Sequence, residues 1–157
     1  MSNQDLSENL KSKVHNWLKE GGWKLQEVAD PQFSWAFVVE RTGFKLNVAQ
    51  QEGKSDQCIV RITTNLVAAK SALAMLSQDE VDELIWQLRF EFARQEVEFE
   101  GVKSPLEQVA ISRTIYSDGL TKNSFSDTLG KVLRAFMLLR WVLTRRRGNI
   151  SDSGWVN

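Results

Sequence analysis

The chain of 157 residues holds a single histidine, His15, a single cysteine, Cys58, and only two prolines. One histidine and one cysteine cannot complete a transition-metal site built on nitrogen and sulfur ligands, and one cysteine cannot close an internal disulfide. No glycine-rich loop with phosphate-binding spacing occurs, which removes the usual signature of nucleotide-using enzymes. Charge of one sign is missing too. Twenty Lys+Arg balance twenty Asp+Glu, so no global field draws nucleic acid or an anionic membrane to the surface. The longest apolar run, Ala135 to Leu143, is interrupted by Arg140 and falls far below the ~20 residues that span a bilayer. Met1 to Gln4 is polar, without an apolar signal core. The expectation is a soluble, cytoplasmic protein with no metal and no cofactor.

What remains is an ordinary globular composition, 42% apolar and 25% charged, long enough to bury a real core. Leu6, Leu10, Val14, Trp17 and Leu18 repeat at helix period and are closed by Gly21-Gly22. Trp23 to Ala29 reads as a short strand ended by Asp30-Pro31. Phe33, Trp35, Phe37 and Val39 alternate, and so do Phe44, Leu46 and Val48, with the turn Glu40-Arg41-Thr42-Gly43 between them. A fourth run starts at Gln57 and puts Cys58, Val60, Ile62 and Thr64 on one face.

Asn65 to Leu76 reads as a connector with one helical turn. Ser77 followed by Glu80 fits a capping box, after which Val81, Leu84, Ile85, Leu88 and Phe92 form a core stripe. A short strand around Val97 and Phe99 precedes a break from Gly101 to Pro105. A further strand carries Val109, Ile111, Arg113 and Ile115 to the turn Ser117-Asp118-Gly119. The last helix is expected to begin near Asn123, with Phe125, Leu129, Val132, Phe136, Leu139 and Leu143 on its core face and Gly148 as its stop. The pattern predicts one α+β domain over 5–148, an antiparallel sheet with helices packed on it, and a mobile tail over 149–157. The order is helix, strands, helix, strands, helix.

Few residues invite a chemistry. His15 reads as a surface or half-buried side chain and Cys58 as a core cysteine. Glu96, Glu98 and Glu100 fall on one face of a predicted strand, which solvation explains as well as a cation would. Arg140, Arg145, Arg146 and Arg147 beside Trp141 could hold RNA phosphates with a base on the indole, or simply complement a helix C-terminus. Two aromatic excesses are less easily absorbed. Trp86 and Phe90 lie off the middle helix's stripe, and Met137 and Trp141 lie off that of the last helix. Surface patches rich in Trp, Phe, Met and Arg mark protein interfaces, so Trp86, Phe90, Met137 and Trp141 are the candidate partner-binding residues. No catalytic residue is assigned.

The order of elements resembles the type III secretion chaperone-like superfamily, with four strand-like runs rather than three before the middle helix. Ile85-Trp86-Gln87-Leu88-Arg89-Phe90-Glu91-Phe92 and Ile115-Tyr116-Ser117-Asp118-Gly119-Leu120-Thr121-Lys122 are similar to recurring segments of an uncharacterised prokaryotic family that shares that scaffold. The resemblance runs from about Leu6 to Arg147. It implies a homodimer that holds an extended segment of a client protein, by strand addition at a sheet edge. The expected function is therefore non-enzymatic protein binding, with RNA binding through the arginine-rich helix end as the alternative.

Overall fold

The computed structural model describes residues 2–147. Its elements are α1 (Asn3–Glu20), β1 (Lys24–Val28), β2 (Phe33–Arg41), β3 (Phe44–Gln51), β4 (Gln57–Asn65), α2 (Lys70–Ala74), α3 (Gln78–Arg94), β5 (Glu98–Glu100), β6 (Gln108–Tyr116) and α4 (Lys122–Arg147). The strands form one six-stranded antiparallel sheet in the order β1-β2-β3-β4-β6-β5. This is the α+β arrangement expected from the alternation of strand and helix periods. The chain gathers into two compact units, residues 2–61 with 113–130, and residues 62–112 with 131–147. The predicted Gly148 stop and the tail over 149–157 lie outside the described residues.

In the first unit, α1 starts at a capping box. The Ser2 hydroxyl accepts from the Asp5 amide, and the Asp5 carboxylate accepts from the Ser2 amide, satisfying donors that a helix start leaves free. Those bonds, first from the Ser2 side chain and then from its backbone, hold the Asp5 carboxyl below its ordinary 3.8. Leu10, Val14 and Leu18 are buried along one stripe. The β2–β3 hairpin turns at Thr42-Gly43, with φ of 51° and 80°, the two left-handed residues that a tight hairpin of matching twist requires. Its register pairs Val39 with Leu46 and Phe37 with Val48, and all of these are buried. A bulge between Phe33 and Trp35 interrupts that register. Thr121, and not Asn123, caps α4: its Oγ1 accepts from the Ser124 amide at 3.1 Å, and Ser124 Oγ accepts from the Thr121 amide at 2.8 Å. The reciprocal Thr–Ser pair caps the helix two residues before the one whose type suggested the cap.

In the second unit, the stretch after β4 is more helical than expected, with a 3-10 turn at Val67–Ala69 running into α2. The predicted capping box of α3 is present between Ser77 and Glu80. Leu84, Ile85, Leu88 and Phe92 are buried, each side chain contributing about 1.5–3 kcal/mol by leaving water. Gly101 has φ of 79°, and a Cβ there would sit 2.0 Å from the Gln108 carbonyl oxygen, so only glycine lets the chain turn into β6. β5 pairs Phe99 with Ile111. Glu96 does not share a strand face with Glu98 and Glu100, because it precedes β5 in a left-handed conformation with φ of 56°. Its carboxylate instead pairs with Lys131 on α4 at 2.9 Å. Val132, Phe136, Leu139 and Leu143 complete the buried stripe of α4 in this unit.

Candidate protein-interaction surface

Trp86 and Phe90 are displaced from the buried stripe of α3 by about half a turn, so burying Leu84, Ile85, Leu88 and Phe92 turns them outward. They are 56% and 61% exposed, and their rings lie 5.9 Å apart. Trp86 is held from one side. The Arg89 guanidinium lies 5.0 Å from the indole centroid, and its Nε and Nη2 donate to the Val102 carbonyl at 3.2 and 3.0 Å. The stack fixes the ring while leaving more than half of the residue in water. Beside it runs an open groove of ≈ 800 Å³, whose lining includes Trp86, Gln87, Phe90, Arg94, Val142 and Arg145.

The other two candidates sit on α4. Trp141 is 58% exposed, whereas Met137 is half-buried. The structure therefore brings Trp86 and Phe90 into one patch and leaves Trp141 as a separate exposed ring among the residues lining no part of that groove. Arg94 and Val142, which line the α3 groove, and Arg89, which stacks on Trp86, were not singled out from the sequence, whereas Arg145, also in the lining, was read only as part of a basic cluster. The signal for the two α3 arginines was spacing: Arg94 lies four residues beyond Phe90, and Arg89 lies three beyond Trp86, on neighbouring helical positions.

The remaining chemical candidates lose their reactive readings. Cys58 is 1% exposed, and burial pushes its thiol up to about 12, so the nucleophilic thiolate is suppressed at neutral pH. His15 is half-buried, its ring 5.8 Å from that of Phe37. No group of His, Cys, Asp and Glu among the described residues is arranged to hold a metal ion. A polar hollow of ≈ 440 Å³ in the first unit includes Ser7, Ser34, Glu52 and Ser55. Next to it Gln50, fully buried, accepts from Ser7 and donates to the carbonyls of Ser55 and Gln57 at 3.1 and 3.2 Å. That network engages both the oxygen and the nitrogen of the Gln50 amide within the protein. Of the basic cluster of α4, the described side chains are Arg140 and Arg145. The Arg140 guanidinium lies 5.9 Å from the Phe136 ring, Arg145 is exposed, and the side chains of Arg146 and Arg147 lie outside the described residues. Among the described residues, no helix is long and apolar enough to cross a membrane.

Over residues 10–143 the sequence matches the model of a family described as an uncharacterized conserved protein, DUF2299. The fold matches the crystal structure of an uncharacterized protein from Methanothermobacter thermautotrophicus, with a TM-score of 0.81 and 26% identity. That match covers 88% of this chain and 99% of the archaeal one. A search of curated proteins finds no match. These findings bear out the resemblance to an uncharacterised family, and nothing in them supports a relationship to the type III secretion chaperones.

Proposed function

We propose that this chain, which belongs to the DUF2299 family, is a non-enzymatic protein-binding module whose contact surface is the aromatic face of α3. One observation carries the reading: Trp86 and Phe90 are 56% and 61% exposed on a helix that already has a complete buried stripe. Folding does not require them there. Exposed aromatic rings next to an arginine, beside an open groove, have the composition of an interface centre. Arg89 strengthens the argument, because a ring fixed before binding loses less freedom when a partner covers it.

A partner's apolar side chains would enter the groove beside Trp86 and Phe90, with Trp141 as a second anchor. Anchors of this kind fit better than strand addition within the same unit, since its edge strand β5 has three residues. Whether a client is held as a chaperone holds one belongs to the same proposal, and so does a cytoplasmic setting. The test is capture from native lysate, with and without nuclease, by the wild-type chain, by Trp86→Ala with Phe90→Ala, and by Arg145→Ala with Arg147→Ala. Capture should survive nuclease and the arginine changes and disappear with the aromatic ones. Salt-steep retention of RNA that vanishes with the arginines would overturn the proposal in favour of nucleic-acid binding.

A further inference from the structure

Asp82, Trp86, Phe90 and Arg94 stand at successive intervals of four on α3, and all of them are exposed. This row is one of the i±4 ridges by which helices pack. The neighbouring row Glu83, Gln87 and Glu91 lines the same groove together with Trp86, Phe90 and Arg94. The groove runs along these rows and is walled on its far side by Val142 and Arg145 of α4, an open channel beside a ridge of the kind that accepts a ridge of a second helix. The exposed ridge also has a chemical symmetry. Its ends carry opposite charges, Asp82 at one and Arg94 at the other, and its centre carries the two aromatic rings. Reversing the row's direction exchanges acid for base and one ring for the other.

We infer that the occupant of this groove is α3 of a second copy of the chain, docked antiparallel about a two-fold axis. In that arrangement Trp86 faces the partner's Phe90, and Asp82 faces the partner's Arg94, with each contact made twice as an isologous interface demands. Arg94 pairs with Glu91 at 3.2 Å in its own helix while 73% of its side chain stays exposed, so its guanidinium remains open to a further carboxylate. Asp82 accepts from Gln78 at 2.9 Å, which leaves its other oxygen to an incoming cation. Two aromatic side chains bury about 150–250 Å² each at most, against the ~800 Å² per partner of a standard interface. The walls at Leu76 and Val142 must therefore join the contact, and the association is expected to be modest in strength. The inference rests on the reading of α3 as a protein-binding face and names its partner.

Charge exchange tests it with the full chain. Sedimentation equilibrium should show the wild-type protein dimerising, and D82R or R94D alone should weaken dimerisation about tenfold, because each places like charges opposite one another at both ends. D82R with R94D in one chain should restore it. A mixture of the two single variants should form a heterodimer, since every end pair in it is then attractive. A wild-type chain that stays monomeric across the micromolar range overturns the inference, as does a double variant no tighter than the singles or a mixture without heterodimer. Circular dichroism of each variant, expected to match wild type at these exposed sites, separates lost pairing from lost fold. Partner capture that still depends on Trp86 in a monomeric chain would leave the proposed function standing while removing this one.

Discussion

Two of the described tryptophans carry an arginine on one face, and the two stacks have opposite consequences. In the first unit the Arg41 guanidinium lies 4.7 Å over Trp23 and donates to the Gly21 carbonyl at 2.7 Å. In the second, Arg89 lies 5.0 Å from Trp86 and donates to the Val102 carbonyl at 3.0 Å. The chemistry is the same: a planar cation, anchored on a backbone oxygen, stacked on an indole. Trp23 is nevertheless 6% exposed and Trp86 56%. The first stack seals the rim of a core. The second fixes a ring that the fold leaves in water. Pinning an aromatic side chain therefore has two uses, and exposure of the other face decides which one applies.

Breaking that comparison should give effects of very different size. Trp23→Ala removes a buried ring and is expected to cost about 3–5 kcal/mol in a urea titration, while Trp86→Ala should cost about 1 kcal/mol or less. Equal losses would mean that both rings serve the fold. Next in size come the helix starts. Ser77→Ala removes the cap of α3, whose accepted bond from the Glu80 amide is 3.2 Å long, and about 1 kcal/mol of stability should go with it. Thermal unfolding would read this, and an unchanged midpoint would place the stability of α3 in its packing alone. Smaller still are the stacked arginines. Arg41→Ala and Arg89→Ala should each lose about 0.5–1 kcal/mol of stacking, but only Arg89→Ala should also weaken partner binding. The smallest effect is one of pH. The folded Asp5 carboxyl titrates below its ordinary 3.8, so its share of stability is present above that value and fades as pH falls through the lowered one. In Ser2→Ala that acid limb should flatten, as followed by circular dichroism.

Much of the fold was legible because its signals are local. The stripe Leu84, Ile85, Leu88, Phe92 is buried as its period implied, and the Ser77–Glu80 box sits where its residue types placed it. The hairpin at Thr42-Gly43 follows from the same kind of evidence. Boundaries depending on a competition between neighbours were harder to read. Thr121 displaced Asn123 as the α4 cap because Ser124 returns its hydrogen bond. Glu96 left the strand because the chain turns there in a left-handed conformation. The site was legible in half. Trp86, Phe90 and Trp141 are off-stripe in sequence and exposed in the structure, while Met137 is half-buried. Arg89's role could not be read at all, since its acceptor Val102 lies beyond the helix, past the following strand.

The central claim is that the α3 aromatic face exists for binding and not for folding. Its most direct test is to take the Trp86→Ala, Phe90→Ala double variant and measure, on the same preparation, the urea unfolding midpoint and the capture of partner after nuclease treatment. The account predicts a loss of stability of about 1 kcal/mol or less and no capture. A stability lowered by several kcal/mol, with capture equal to wild type in the folded fraction, would contradict it.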